Sequence, residues 1–214
     1  MADGSTTIHT AIIQGAKALA IELSGQQADL LTRYVLLLAK WNKAYNLTAV
    51  RDPEEMVSRH IIDSLSIVPH VTGDSVLDVG SGPGLPGIVL AIMYPGKKFT
   101  TLDSNGKKTR FMLQAKMDLQ LANLDVANAR VESFKAQVPF DAITSRAFSS
   151  LVNMVDGTKH FYKAAGREVP EGLPGSHPAL LSCSDMLVPI NIMGSLPAKS
   201  YQDFCSMKPG STLA

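Results

Sequence analysis

The sequence predicts an α/β fold with a mostly parallel, doubly wound sheet that follows an N-terminal helical cap. Short apolar runs alternate with helical patterns from about residue 75 to residue 148, and this alternation is typical of a parallel sheet. The first run, Val76 to Val79, leads into a glycine-rich turn and then an apolar helix. With 214 residues and 45% hydrophobic content, the chain is long enough for one well-buried domain and a small appendage.

The helical cap is predicted over residues 1–70, ahead of the sheet. Residues 26–44 carry apolar side chains at spacings of three and four, which is typical of an amphipathic helix. A second helix is expected over residues 53–68. His60 and Asp63 lie three residues apart on it, so they either share a functional face or form an ordinary hydrogen-bonded pair.

The turn after the first strand has three glycines at alternate positions, where the backbone can adopt positive φ and a ligand can approach closely. They are Gly80, Gly82 and Gly84. The next helix starts near Pro86, whose missing N–H group suits the first turn of a helix. We expect a nucleotide-like ligand on this turn; a glycine-rich turn without a ligand is the structural alternative.

Two kinds of cofactor compete for this glycine-rich loop. Its glycines also fit the dinucleotide pattern GxGxxG, which ends at Gly87. A pyrophosphate needs N–H donors and positive potential at the start of the helix. Pro83 and Pro86 lack that donor, and Asp78 adds negative charge. Because a carboxylate suits an ammonium or sulfonium group, Asp78 favours S-adenosylmethionine over NAD.

Asp103 ends a second predicted strand, residues 98–103, about 20 residues past the glycines. A carboxylate at this place can accept hydrogen bonds from both hydroxyl groups of a ribose, which predicts Asp103 as the ribose ligand. Asp103 and Ser104 can also cap the helix that starts near Lys107, and this role is compatible with the first.

Basic residues cluster around that helix, which is predicted over residues 106–121. The cluster consists of Lys97, Lys98, Lys107, Lys108 and Arg110. It either follows the phosphates of a nucleic acid or forms a solvated helix face.

Two further strands are predicted before residue 150. The third covers residues 124–129 and is followed by Val131 and Glu132, where an adenine would lie against the loop. The fourth carries Ser145 and Arg146 toward the carboxyl edge of the sheet, which is the edge where open α/β folds bind their ligands.

The composition disfavours several classes of protein. A net charge of +1 gives no overall case for a nucleic-acid binder, so any basic footprint has to be local. Cys183 and Cys205 have neither disulfide-scaffold nor metal-ligand spacing, and we expect no metal. No run reaches the ~18 apolar residues of a membrane span, and the first residues lack the regions of a signal peptide. We expect a cytoplasmic protein without a membrane partner.

Six motifs between about Leu30 and Ala165 make the sequence similar to one known family. They are Trp41-Asn-Lys-Ala-Tyr-Asn-Leu-Thr48, Arg59-His60 with Asp63-Ser64, Asp78-Val-Gly-Ser-Gly-Pro-Gly-Leu-Pro-Gly87, Leu102-Asp103-Ser, Arg130-Val-Glu132 and Ser145-Arg-Ala-Phe148. Through them the chain resembles the glucose-inhibited division protein B family, bacterial guanine-N7 methyltransferases of 16S ribosomal RNA. The resemblance implies a Rossmann-like class I S-adenosylmethionine-dependent methyltransferase fold, S-adenosylmethionine as cofactor and the small ribosomal subunit as partner.

The resemblance also implies which residues form the site. It assigns cofactor contacts to Gly80, Leu85, Val131, Glu132 and Arg146. Guanine N7 already has an in-plane lone pair, so catalysis needs positioning rather than a general base or a metal. Arg146 is the best candidate for contacting the target nucleotide. The opposite wall is expected from Lys43 and His60, together with Asn42 and Asn46. The enzyme is expected to be a monomer.

The C-terminal tail departs from this family. Half of the 12 prolines lie after Arg167, and proline removes donors from inner strands. We therefore expect that the later strands of the sheet are not replaced in kind, that the fourth strand is an open edge, and that the tail is mobile or loosely draped.

The predicted division has three parts: a helical cap over residues 1–70, a cofactor-binding α/β domain over residues 71–167 and an atypical tail over residues 168–214. Two alternative functions stay open. The tail allows a catalytically impaired remnant that only binds cofactor or RNA, and the dinucleotide pattern allows an NAD-dependent oxidoreductase.

Overall fold

The computed structural model describes residues 2–146, 157–161 and 185–188, which contain a sheet of five strands. The strands are β1 (Ser75–Val79), β2 (Lys98–Asp103), β3 (Leu124–Asn128), β4 (Ala142–Arg146) and β5 (Asp185–Val188). Their order is β3-β2-β1-β4-β5, in which β1 to β4 are parallel and β5 is antiparallel to β4. The predicted mostly parallel α/β sheet is confirmed.

The carboxyl ends of the inner strands meet at one edge of the sheet. Val79 of β1 is in register with Leu102 of β2 on one side and with Ser145 of β4 on the other. The Ser145 hydroxyl also donates to the Val79 carbonyl over 2.8 Å. The strand order reverses between β1 and β4, so the residues that follow these strands lie where open α/β sheets bind their ligands.

Helices of very different length flank the sheet. They are α1 (Ala2–Ala18), α2 (Gly25–Tyr45), α3 (Pro53–Met56), α4 (Asp63–Ser66), α5 (Gly87–Met93) and α6 (Gly106–Asp118). A capping box starts α2, because Ser24 and Gln27 each accept the backbone N–H of the other. The helix ends at Asn46 in the left-handed conformation. The predicted helix over residues 26–44 is therefore confirmed, with one more residue at each end.

The second predicted helix of the cap is not regular. A π-helical segment, Val57–Ile62, joins α3 to α4, and a short 3-10 turn, Val68–His70, follows. The prediction of one helix over residues 53–68 is wrong in its middle, because apolar spacing does not reveal an i→i+5 turn. Such turns are frequent at functional sites, and this one carries His60.

Two hydrophobic clusters lie on the two faces of the sheet. The larger one runs without a break from Ile8 in α1 to Ala142 in β4, so the N-terminal helices and the sheet share one core. The smaller one includes Leu77, Ile143 and Phe161. The boundary at residue 70 stays a prediction. In the part of the chain that the structure describes, no helix has the length and apolar character that a bilayer crossing requires.

The tail contributes one strand to the sheet. Asp185 pairs with Arg146 and Val188 with Ile143 in an antiparallel ladder, so the expectation that β4 is an open edge is wrong. The rest of the tail lies outside the described residues, and so do Cys183 and Cys205.

Candidate functional site

The glycine-rich loop between β1 and α5 has positive φ angles at its three alternate glycines. The values are 70° at Gly80, 58° at Gly82 and 98° at Gly84. A Cβ on Gly84 would overlap the Ile88 side chain, whereas a Cβ on Gly80 would have nothing within 4 Å. Gly84 therefore serves packing, and Gly80 is the point at which the backbone is open to a ligand.

The backbone donors of this loop are all in use. Pro83 and Pro86 have no N–H group. Every remaining backbone N–H group of residues 80–88 donates a hydrogen bond within the protein. The pairs are Gly80 and Ser81 to Leu102 O, Gly82 to Asp103 Oδ2, Gly84 and Leu85 to Ser81 O, Gly87 to Asp78 Oδ2, and Ile88 to Gly84 O. A pyrophosphate requires such donors, so the loop is poorly suited to a dinucleotide.

Asp78 provides a negative charge directly under the loop. It is 1% exposed, and its Oδ2 accepts the Gly87 N–H over 2.9 Å. Its Oδ1 is buried and has no hydrogen-bond partner within the described chain. Burial raises the pKa of Asp78 to about 7, although the Gly87 N–H bond opposes this shift. An acceptor left unpaired in a buried place is costly, and a cationic ligand group such as an ammonium would satisfy it.

Asp103 lies at the end of β2, beside the same loop. Its Oδ2 accepts the Gly82 N–H over 2.9 Å and its Oδ1 accepts the Asn105 N–H over 2.8 Å. The Lys108 ammonium lies 3.8 Å from Oδ2. A carboxylate has about four lone-pair sites, so two remain for ribose hydroxyls. The capping role belongs to Asn105, which accepts the Lys107 N–H, and not to Asp103 or Ser104 as expected.

Two predicted cofactor contacts follow β3, in the short 3-10 turn Val131–Ser133. Glu132 is exposed, while Val131 is half-buried against the smaller hydrophobic cluster. Leu85 is placed differently, because its side chain is 1% exposed in the larger cluster. Leu85 therefore supports the loop from below, and its direct contact with a cofactor stays a prediction.

Arg146 and His60 come together at the carboxyl edge, as the sequence analysis requires of one site. Arg146 Nη1 lies 3.0 Å from Asp63 Oδ2, in an ion pair whose side chains are about one quarter exposed. Its Nη2 lies 3.3 Å from His60 Nδ1. His60 and Asp63 thus share a partner rather than pairing with each other. Lys43 is separate from this group and lies exposed in the last turn of α2.

His60 is a neutral, held side chain. Its Nε2 lies 2.9 Å from the Thr48 hydroxyl, and its Nδ1 lies 3.0 Å from the Arg59 carbonyl oxygen. Burial and the Arg146 charge lower the pKa of His60. A neutral imidazole adds no charge beside Arg146, and its Nδ1 either donates to the Arg59 carbonyl or accepts from the Arg146 guanidinium, according to the tautomer.

Asn42 and Asn46 have structural partners. The Asn42 amide donates to the Val50 carbonyl over 2.8 Å and its oxygen accepts the Thr48 N–H over 2.9 Å. Asn46 ends α2 and accepts from Arg51 over 2.7 Å. Both residues shape the turn that leads to α3, and their place in the wall of the site stays a prediction.

The basic cluster expected around α6 is divided in two. Lys97 and Lys98 lie at the start of β2, whereas Lys107 and Lys108 follow its end. At roughly 3.3 Å per residue, β2 separates the two pairs by about 17 Å. Lys97 is also engaged with the Gly73 carbonyl and lies over the Tyr94 ring. The expectation of one cluster is therefore wrong, because residues close in sequence lie at opposite ends of a strand.

Tyr34 is a residue of the site that sequence reasoning missed. Its side chain is completely buried, and its hydroxyl donates to the Pro83 carbonyl over 2.9 Å. Burial raises the pKa of Tyr34, so it stays a protonated donor. The contact anchors α2 to the glycine-rich loop. The available signal was that a buried tyrosine usually finds a hydrogen-bond partner, but the sequence does not reveal which one.

Replacing Tyr34 with phenylalanine is expected to lower the affinity for S-adenosylhomocysteine severalfold. The variant keeps the ring but leaves the Pro83 carbonyl unpaired, which costs about 1–3 kcal/mol and loosens the loop. Binding and thermal unfolding should be measured together. Tyr94→Phe is the matched control, because the Tyr94 hydroxyl donates to the Val68 carbonyl, away from the loop. Equal cofactor affinity in both variants would argue against a positioning role for Tyr34.

No metal centre is evident in the described residues, where no three His, Cys, Asp or Glu side chains lie together as ligands. The groups gathered at the carboxyl edge are instead two carboxylates, which accept hydrogen bonds, one guanidinium, which donates them, and the open backbone at Gly80. This set suits an organic ligand with a cationic group and a ribose.

Comparison with known proteins shows the family to which the chain is related. The family model described as rRNA small subunit methyltransferase G matches residues 27–169. A ribosomal RNA small subunit methyltransferase G of Ectopseudomonas mendocina is 61% identical over 155 residues, which cover 72% of each chain. The protein of that name from Alteromonas mediterranea is 52% identical over 160 residues, 75% of this chain and 76% of the relative.

The chain belongs to the rRNA small subunit methyltransferase G family. The family match includes the glycine-rich loop, Asp103, the turn after β3 and Arg146, and it stops at residue 169, early in the tail. Among solved structures, the apo form of the S-adenosylmethionine-dependent methyltransferase SibL has a TM-score of 0.46 at 16% identity. That alignment covers 95% of this chain and 61% of SibL.

Proposed function

We propose that the chain transfers the methyl group of S-adenosylmethionine to N7 of a guanine in 16S ribosomal RNA. Two features found together carry the proposal. The loop has no spare N–H donors, and the buried Oδ1 of Asp78 has no hydrogen-bond partner within the described residues. This combination fits a cofactor with an ammonium group and disfavours NAD, and membership of the methyltransferase family supports the same reading.

Four elements of the chain would hold the cofactor. Asp78 would face the ammonium group of the cofactor, and Asp103 would accept its ribose hydroxyls. The turn Val131–Ser133 would lie against the adenine, and the open space at Gly80 would let the cofactor come close to the backbone of the loop. When bound, S-adenosylmethionine supplies an electrophilic methyl group on a sulfonium centre. The hydrogen bond from Tyr34 to the loop and the hydrogen bonds of the loop N–H groups hold the loop in one conformation. This preorganisation lowers the entropy cost of binding the cofactor.

The residues facing the target base provide position and charge rather than proton transfer. Guanine N7 has its own lone pair, so no general base is required. The rate depends on holding N7 in line with the methyl group and the sulfur of the cofactor. Arg146 is held by Asp63 and lies beside His60, and it keeps further N–H donors for a guanine edge or a phosphate. Lys43, exposed at the end of α2, would contact a phosphate at the rim. The base has to be unstacked to enter, which favours a structured RNA loop.

Methyl transfer should be tested with the full chain, tritium-labelled cofactor and purified small ribosomal subunits. Incorporation of label into 16S RNA, at N7 of a guanine, is the expected result. Cofactor binding without any transfer would instead support an impaired remnant, and tight binding of NADH in place of S-adenosylhomocysteine would support an oxidoreductase. We also propose that the activity is cytoplasmic and that the monomer carries it.

A further inference from the structure

Helices α2 and α6 lie side by side in opposite directions. Arg33, near the start of α2, donates to the Asp118 carbonyl at the end of α6. Trp41, later in α2, lies 5.7 Å from the Phe111 ring in the first half of α6. The last turns of α2 therefore lie beside the first turns of α6.

The part of this helix pair that lies nearer to the glycine-rich loop carries only positively charged side chains, whereas Asp29 of α2 and Asp118 of α6 lie at the opposite end of the pair. Every charged residue in the stretches 33–45 and 106–117 is basic: Arg33, Lys40, Lys43, Lys107, Lys108, Arg110 and Lys116. Lys40, Lys43, Lys107 and Arg110 are exposed. Because the net charge of the whole chain is only +1, this concentration is local. Along residues 33–45 and 106–117 a polyanion would meet no negatively charged side chain of these two helices.

Apolar side chains are exposed between these cations. Leu36 of α2 is 38% exposed, and Leu113 and Met117 of α6 are 46% and 64% exposed. Tyr45, stacked on Trp41 at 5.1 Å, is 45% exposed at the end of α2. Nucleic acids combine phosphates with flat bases and sugars, so a face that mixes cations with exposed apolar and aromatic groups suits RNA.

Both helices also touch the cofactor site. Tyr34 of α2 donates to the loop carbonyl of Pro83, and Lys108 of α6 lies 3.8 Å from the Asp103 carboxylate. The basic face therefore begins at the rim of the site. From Lys107 to Lys116 it extends along about 13 Å of helix, which is long enough to contact more than one phosphate.

We propose that the exposed face of α2 and α6 is an RNA-binding surface that holds a segment of the substrate RNA beside the cofactor site. This inference rests on the proposed function and deepens it, since it extends the RNA interface from Lys43 along the exposed face of α2 and α6. The contacts are made to the phosphate backbone, so they provide affinity and orientation, whereas the guanine itself is chosen at the site.

The test neutralises two cations of this face in the full chain, by Lys40→Gln with Arg110→Gln. The matched control is Lys17→Gln with Lys98→Gln, which removes the same charge from exposed positions on α1 and at the far end of β2. Binding to full-length 16S RNA is measured against salt concentration, S-adenosylhomocysteine affinity is measured in parallel, and methylation kinetics are recorded on small subunits.

Loss of two phosphate contacts should reduce the slope of log affinity against log salt by roughly 1.5 to 2. The KM for RNA should rise about tenfold at moderate salt, while kcat, cofactor affinity and the control variant stay unchanged. If the variant had the same salt slope as the control and still methylated the RNA, the proposed RNA-binding surface would be wrong and the proposed function would still hold. An altered slope in a chain that never transfers a methyl group would support the surface and overturn the function. Binding of acidic proteins but not RNA through this face would overturn the choice of partner.

Discussion

Asp78→Asn is expected to weaken S-adenosylhomocysteine binding by about tenfold to hundredfold while it stabilises the unliganded chain. The substitution removes one charge-assisted hydrogen bond to the ligand ammonium, worth about 1.5–3 kcal/mol. It keeps an oxygen that can accept the Gly87 N–H. At about pH 8 the wild-type carboxylate is ionised in a buried place, and the asparagine amide avoids that cost. Isothermal calorimetry and thermal unfolding check the two halves of the prediction.

The pH dependence of the wild type follows from the same carboxyl group. Burial raises the pKa of Asp78 from its ordinary 3.8 to about 7, so the folded chain binds a proton that the unfolded chain releases between those values. Stability of the unliganded chain should therefore fall as pH rises from about 4 to about 7, and then level off. Cofactor affinity should run the other way, rising about tenfold from about pH 6 to about pH 8, since the ammonium needs the ionised form.

Two controls isolate the charge of Asp78. Methylthioadenosine lacks the amino-acid part of the cofactor, so its affinity should stay flat across this pH range. Asp125→Asn, at a carboxylate that is exposed and paired with Lys116, should change neither stability nor affinity. If S-adenosylhomocysteine bound equally well to Asp78→Asn and to the wild type, the ammonium assignment would be wrong.

The strands and the glycine-rich loop could be predicted from sequence because their signals are local. The strand over residues 98–103 has the predicted bounds, and the first strand begins one residue earlier than predicted, at Ser75. Inner strands of a parallel sheet are buried on both faces and read as short apolar runs. Alternate glycines after such a run require positive φ. The parallel arrangement then brings Asp103 and Arg146 to the loop without further information.

The parts that sequence did not predict depend on partners far along the chain. Tyr34 reads as a core residue, and nothing near it in sequence indicates Pro83. The basic face likewise forms only when α2 packs antiparallel to α6, and the pairing of Asp185–Val188 with β4 spans about forty residues. Lys97 and Lys98 show the reverse error. They are close in sequence to Lys107 and Lys108, but the length of β2 separates the two pairs in the structure.

Asp103→Ala is expected to weaken S-adenosylhomocysteine about tenfold or more, because a charged acceptor of two ribose hydroxyls contributes roughly 1.5–3 kcal/mol per bond. The structure adds a second consequence, because Asp103 also accepts the N–H groups of Gly82 and Asn105. A loss of affinity alone could therefore come from a loosened loop rather than from a missing ribose bond.

A cycle that changes protein and ligand together separates these two causes. In the wild type, removing the 2′ or the 3′ hydroxyl from the ribose of S-adenosylhomocysteine should weaken binding about tenfold, since each hydroxyl loses a charged acceptor. In Asp103→Ala that acceptor is already gone, so the deoxy ligands and the parent should bind with nearly the same affinity. Loop disturbance affects all three ligands alike and cancels in the comparison. Deoxy ligands that lose as much affinity in the variant as in the wild type would show that another group holds the ribose, and that Asp103 acts only by fastening the loop to β2.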